Sequence, residues 1–245
     1  MIRASSTCTW EIEPSTMFDV KNLNVFYGES QAVHDASFSV AADESLAIMG
    51  RNGMGKTTLL KALIGMLPAK SGSIAIDGVE LAKLHSYERV QRGLAFVPQG
   101  RMIFPFLSVE ENILAGADHS GYRRVPDYIY RFFPVLEQMK RRKGGNLSGG
   151  QQQMLAIARA LISDPKVLIL DEPTEGIQPS IIKEIAHTLN VLRKERQFAI
   201  VVSEQVLSFA LELADRFLVI DRGRIVHEES RAELDLEKVK SFLTV

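Results

Sequence analysis

Residues 50–57 read GRNGMGKT, a Gly-x-x-x-x-Gly-Lys-Thr run with the apolar stretch 46–49 before it and a helix-like stretch from Lys56 after it. No other feature of the chain restricts its fold as much. The run works only where a buried strand ends in a glycine-rich loop and a helix begins. There, backbone N–H groups wrap a chain of phosphates, Lys56 reaches the outer phosphates, and Thr57 offers a hydroxyl to a magnesium ion. The helix predicted from Lys56 runs through Ile64 and is stopped by Gly65 and Pro68.

The rest of the chain supplies the sheet that such a loop needs. KVLILDEP (residues 166–173) and FAIVVSEQ (198–205) are continuous apolar runs of the kind buried on both faces of a parallel sheet. Between them, Pro179 occupies a first helical turn, and Ile181, Ile182, Ile185, Leu189 and Leu192 keep helical spacing. Phe18, Val20, Leu23 and Val25 alternate as in a half-buried strand, as do Ile74 and Ile76, and GLAFVPQG carries a short strand ending at Pro98. From about residue 100 to 161 the strand signals cease. An α/β core interrupted by a helical insertion follows, with no internal repeat. Asp171 and Glu172 end one of the apolar strands, where ligands of open α/β sheets bind. Asp171 is then expected to hold Mg²⁺ through water, and Glu172 to act as general base on the attacking water.

NLSGGQQQML, residues 146–155, suggests a second phosphate-binding turn. Ser148 can cap a helix whose Met154, Ile157, Ala158 and Leu161 face inward, while Gly149 and Gly150 leave its start open to an anion. Because residues 50–57 already cradle a nucleotide, this turn is expected to serve the γ-phosphate on another subunit.

Composition narrows the function further. With 245 residues, 46% of them hydrophobic, the chain can bury one core and a small subdomain. A formal net charge of −1 provides no basic field for a nucleic-acid backbone, so Arg123-Arg124 and Arg141-Arg142-Lys143 read as solvated faces. Cys8 is the single cysteine and cannot form an internal disulfide, which fits a reducing cytosol. The five histidines show no ligand spacing, and no stretch is long and apolar enough to span a bilayer, so any membrane is reached through a partner. Residues 1–16 read as a loose, disordered extension, with one ordered domain over 17–245.

Together, GRNGMGKT, LSGGQ (147–151, with Gln151 closing the run) and LILDE (168–172) make the chain resemble the ATP-binding subunits of ABC transporters over about residues 17–230. MGRNGMGKTTLLKALIGMLP, FVPQGRMIFPFLSVEEN and LDEPTEGIQPSIIKEI further resemble the branched-chain amino acid importer group, in particular the second ATPase (E-type subunit) of urea transporters. The resemblance implies a P-loop NTPase fold of the ABC-ATPase type: a mixed sheet core, an N-terminal antiparallel β subdomain and an inserted α-helical subdomain. It implies ATP and Mg²⁺ as ligands. Tyr27 would stack on adenine, Asn52, Gly53, Gly55, Lys56, Thr57 and Thr58 would line the triphosphate, and Gln99 would join Thr57 and Asp171 at the metal. It also implies two membrane-spanning permease subunits, a second ATPase, a solute receptor reached indirectly, no nucleic acid, and a peripheral place on the cytoplasmic face of the inner or plasma membrane.

Two positions depart from the family pattern. Gln205 stands where a histidine is usual, ten residues before Asp215, and Gln178 replaces the usual aspartate after DEPT. An amide can hydrogen-bond a γ-phosphate but carries no proton or positive charge. Both departures favour a heterodimer over a pair of identical chains. The cargo is expected to be urea, with branched-chain amino acids or short amides as alternatives. A soluble ABC ATPase acting on ribosomes or DNA, and a nucleotide-binding regulator without turnover, are the competing classes. Finally, RMIFPFLSVEENI packs five apolar side chains, Met102, Ile103, Phe104, Phe106 and Leu107, into six positions, so part of it is expected to stay exposed as a docking surface for the membrane subunits.

Overall fold

The computed structural model describes residues 16–117 and 120–243. The extension expected over residues 1–16 thus lies outside the described residues, apart from Thr16, which opens the first strand. In chain order the elements are β1 (Thr16–Tyr27), β2 (Ser30–Ala41), β3 (Ser45–Met49), α1 (Lys56–Leu63), β4 (Ala69–Ile76), β5 (Val79–Glu80), α2 (Ser86–Gln91) and β6 (Leu94–Val97). The helical insertion follows with α3 (Val109–Leu114), α4 (Asp127–Phe132), α5 (Pro134–Gln138) and α6 (Gly149–Leu161). The chain then returns to the core with β7 (Val167–Asp171), α7 (Pro179–Arg196), β8 (Ala199–Glu204), α8 (Leu207–Leu213), β9 (Arg216–Asp221), β10 (Arg224–Ser230) and α9 (Leu236–Leu243).

Two sheets result. A four-stranded antiparallel sheet has the order β2-β1-β4-β5, and a six-stranded sheet has the order β10-β9-β3-β8-β7-β6. In the second sheet β3 runs parallel to β8 and β9, and β7 to β6 and β8, while β10 is antiparallel to β9, so the sheet is mixed. This is the α/β architecture, with a separate antiparallel β layer, that the resemblance implies.

The apolar runs are continuous because both faces of the larger sheet are covered. Val167 and Ile169 of β7 point into the core shared with α1 and the antiparallel sheet; Leu168 and Leu170 point into the core shared with α6, α7 and the helical insertion. β8 alternates in the same way, with Ala199 and Val201 on the first side and Ile200 and Val202 on the second. With side chains fixed on both faces, the carboxyl ends of β3, β7 and β8 are held at one rim. The loops that carry the chemistry leave from that rim.

The short helix α2, which the sequence patterns do not mark, carries Arg89, which is 2% exposed. Its guanidinium donates to the carbonyls of Ala62 and Leu63 at 2.7 Å, of Ala82 at 2.8 Å and of Leu84 at 3.0 Å. Arg89 therefore satisfies the last carbonyls of α1 with a positive charge at the helix's negative end. Gly65, with φ +78°, ends α1 and also makes room, since a Cβ there would lie 2.8 Å from Arg89 Nε. Arg89→Leu takes a charged donor from four carbonyls, of which Ala62 O alone keeps another, the Gly65 N–H, and is expected to cost about 3 kcal/mol, lowering the thermal midpoint by roughly 6–12 °C. Thermal unfolding by circular dichroism measures this, and an unchanged midpoint would sink the assignment.

Candidate functional site

The loop between β3 and α1 is shaped for an anion before any side chain is considered. Gly53 (φ +78°) and Gly55 (φ +107°) take left-handed conformations, and Gly55 caps α1 without any side-chain acceptor. The N–H groups of the first helical turn thus keep their bonding capacity for a ligand. Lys56 starts the helix, 4% exposed, and its Nζ donates to Gly50 O at 2.7 Å and lies 3.4 Å from Glu172 Oε1.

Beneath the loop lies a buried carboxylate. Asp171, the last residue of β7 and 2% exposed, accepts from Ser203 Oγ at 2.6 Å and from Thr57 Oγ1 at 3.2 Å, both on Oδ1. Burial pushes its pKa up, and the two hydroxyls oppose that shift. Both of these donors are neutral. A buried anion flanked by oxygen donors suits a hard divalent cation, which Thr57 and Asp171 could approach from α1 and β7.

Glu172 follows in a left-handed conformation, φ +45°, uncommon for a residue of this type. That backbone turns its side chain up into the rim, where Oε2 accepts from Gln99 Nε2 at 3.1 Å and Oε1 from Gln205 Nε2 at 3.0 Å. Gln205 Nε2 also donates to Asn52 Oδ1 at 2.6 Å. The amide that replaces the family's usual histidine therefore links the phosphate loop to the acidic residue.

A cavity of about 660 Å³, within the range of small-ligand sites, gathers Tyr27, Asn52, Gly53, Gly55, Lys56, Thr57, Thr58, Gln99 and Glu172 around one opening. Tyr27 stands at its edge, half-exposed, with its ring free to stack on a planar base. Gln205 lines an adjoining recess with Glu204, Thr174 and Glu175. The sequence patterns missed part of the wall: Gln31, Ala32 and His34 of β2, and Arg222 and Gly223 in the β9–β10 turn. Gly223 was marked only by its place in an Asp-Arg-Gly turn. Its φ of +76° and the 2.2 Å that would separate a Cβ from Ala32 O show why glycine stands there.

Ser148, Gly149, Gly150 and Gln151 are not among the residues lining either recess. Ser148 caps α6: its Oγ accepts from Gln151 N at 3.4 Å while Gln151 Oε1 accepts from Ser148 N at 3.0 Å. Met154, Ile157, Ala158 and Leu161 are buried below. The glycines have a packing reason as well, because a Cβ on Gly150 would meet Ile181 Cγ2 at 2.6 Å and one on Gly149 would lie 3.2 Å from Gly176 O. Beside this turn the loop after Gln99 is clamped. Arg159 of α6 donates to the carbonyls of Met102 at 2.8 Å and Arg101 at 3.0 Å, and Arg101 Nη2 donates to Glu175 O at 2.5 Å.

Residues 33–175 match the ABC transporter family. Over 228 residues the chain is 42% identical to the high-affinity branched-chain amino acid transport ATP-binding protein BraG of Pseudomonas aeruginosa, covering 91% of this chain and 97% of that one. The chain belongs to the ABC transporter family. A second relative, the probable branched-chain amino acid transport ATP-binding protein LivF of Archaeoglobus fulgidus, is 34% identical over 89% of this chain and 94% of its own. Among solved structures, a nucleotide-free ATP-binding cassette superposes with a TM-score of 0.80 at 26% identity over 94% of this chain and 95% of that one. A dimeric cassette in a post-hydrolysis state, bound to ADP and phosphate, superposes with a TM-score of 0.77 at 26% identity, covering 88% of this chain and 99% of that one.

The chain is thus an ABC ATPase. No helix among the described residues is long and apolar enough to cross a membrane. With ATP at about a hundred times its dissociation constant, the protein is expected to gain about 2.7 kcal/mol of stability. Lys56→Met should weaken ATP binding by about a hundredfold, the loss of a charged hydrogen bond, and so cut that gain to about 0.4 kcal/mol at the same ATP concentration. Differential scanning fluorimetry with and without nucleotide reads both.

Proposed function

We propose that this ABC ATPase hydrolyses ATP on the Lys56–Glu172 rim to drive a solute importer, and that Glu172 is the general base. The observation that carries this is the setting of Glu172: a strained backbone aims its carboxylate into the cavity, where Gln99 and Gln205 amides orient both oxygens. A carboxylate so oriented can take a proton from water in line with a γ-phosphate held by Lys56 and the N–H groups of α1. Tyr27 stacks on the adenine, while Asn52, Gly53, Gly55 and Thr58 follow the triphosphate. Thr57, Asp171 and Gln99 would hold Mg²⁺; when bound, it supplies positive charge to the outer phosphates. The chain's own residues do the rest. Lys56 neutralises the γ-phosphate, Gln205 fixes Glu172, and Ser203 and Thr57 keep Asp171 in place.

In this reading the start of α6, at Ser148, Gly149, Gly150 and Gln151, faces the nucleotide of a second ATPase. Gln205 and Gln178, in place of the usual histidine and aspartate, favour a partner that is a different chain. Phe106, Met102, Phe104 and Leu107 are exposed, at 83%, 67%, 47% and 36%, while Ile103 packs into the core. With Val90, Phe96 and Ala115, Met102 and Phe104 line a groove, mostly apolar, that suits a helix of a membrane subunit, and through that contact the ATPase sits on the cytoplasmic side of its membrane. The names of BraG and LivF support branched-chain amino acids or related small solutes as cargo. Urea rests on the resemblance around TEGIQPSIIKEI, residues 174–185, alone.

Glu172→Gln should leave ATP binding intact and lower turnover of the assembled complex by about a hundredfold. A near-wild-type steady-state rate would reject Glu172 as the base. Phe106→Asp should keep the isolated chain's stability within about 0.5 kcal/mol while weakening co-purification with the membrane subunits. Unfolding of the isolated variant would instead place Phe106 in the fold.

A further inference from the structure

Glu204, the last residue of β8, is a buried carboxylate for which ATP hydrolysis as described above has no use. It is 2% exposed, and its hydrogen-bond donors, a hydroxyl and two backbone N–H groups, are neutral. Oε2 accepts from Thr174 Oγ1 at 2.8 Å; Oε1 accepts from the backbone N–H groups of Gln205 at 2.8 Å and Val206 at 2.9 Å. Burial raises its pKa, and the Glu172 carboxylate adds to the rise.

Burying a carboxylate beside another is costly, and a turn after a strand can be capped by a single hydroxyl. A hydroxyl offers a single oxygen, whereas a carboxylate offers two separate acceptor atoms. Glu204 has two acceptor oxygens, and each holds a different loop: one the segment that leaves β7 through Glu172 to Thr174, the other the segment that leaves β8 through Gln205. The two loops meet again above it, where Gln205 Nε2 bonds Glu172 Oε1 at 3.0 Å and Asn52 Oδ1 at 2.6 Å. A closed ring forms, running from Glu204 to Thr174, along the chain to Glu172, across to Gln205 and back through the backbone to Glu204. A neutral amide on a flexible side chain finds its partners only if its backbone is fixed, and Glu204 fixes the backbone N–H of Gln205 itself.

We infer that Glu204 is a positioning residue for ATP hydrolysis: its carboxylate ties the Glu172 loop to the Gln205 loop and thereby sets the Gln205 amide against Glu172 and Asn52. This rests on the assignment of Glu172 as the base. It adds that a residue outside the nucleotide cavity determines the geometry of that base.

The test is a set of variants in the full chain assembled with its membrane subunits, with MgATP turnover and ATP affinity measured on each. Glu204→Ala should lower kcat by roughly tenfold or more, as loss of alignment does, while KM and the ATP dissociation constant stay within about twofold because uniform binding is untouched. Glu204→Gln keeps an acceptor for the Gln205 loop and a polar partner for Thr174, and should restore at least about half of the rate. The deciding readout is the double variant. If Glu204 acts through Gln205, Glu204→Ala placed on Gln205→Ala should cost less than about twofold more. Thr174→Val, which cuts the same tie from the other side, gives the same comparison if Glu204→Ala does not fold. Losses that multiply in the double variant would overturn the inference, as would wild-type kcat in Glu204→Ala or a harmless Gln205→Ala beside a damaging Glu204→Ala. A wild-type complex with no MgATP turnover would instead reject the hydrolytic reading itself.

Discussion

Much of the structure depends on one small set of bonds, the two hydroxyls that meet Asp171. Thr57 reaches it from α1 and Ser203 from β8, so a single carboxylate oxygen gathers the helix after the phosphate loop and two neighbouring strands of the parallel sheet. The arrangement is stable only because the sheet is packed on both faces. Leu168 and Leu170 are held on one side and Val167 and Ile169 on the other, leaving the strand no freedom to twist its last residue away. The protein keeps Asp171 out of water with only hydroxyls as hydrogen-bond donors, and a buried carboxylate among oxygen groups is suited to a cation.

The parts legible in the sequence are those whose function requires a local pattern. A phosphate loop must have glycines at fixed places followed by Lys56 and Thr57, and a doubly covered strand must be apolar without a break, so β3, α1, β7 and β8 could be placed from the string of letters. The start of α6 could be placed because a capped helix begins with Ser148. Other features arise from residues far apart in sequence and leave no periodic trace. Arg89 looks like one more charge on a short polar stretch, and its burial follows from the four carbonyls that surround it. Gly223 needs to be glycine because of Ala32, far away in the chain. Glu204 is the informative case: it adjoins Gln205 in sequence, but its reach to Thr174 exists only once β7 and β8 lie side by side.

The same contrast applies to the glycines of LSGGQ. Their openness to an anion is apparent from composition alone, and their second constraint is visible only in three dimensions. Gly150 lets α6 close against Ile181 at the start of α7, and Gly149 lets the loop around Gly176 pass nearby. A larger residue at Gly150 would push α6 away from α7, and one at Gly149 would press on the Gly176 carbonyl. The departure at Gln205 is likewise tolerated structurally, since its Nε2 donates to both Asn52 Oδ1 and Glu172 Oε1.

Arg159 grips two consecutive carbonyls of the segment that carries Met102 and the exposed phenylalanines, and Arg101 of that segment grips the carbonyl of Glu175. Mechanically this makes the segment a handle pinned at its Arg101–Met102 end. A force applied at Phe104 or Phe106 passes through that end to the shaft of α6 and to the strand-end segment that begins with Glu172. The direction also reverses, so a shift of either of those parts moves the handle, giving the molecule a two-way linkage of about one loop's length between its apolar surface and its acidic rim.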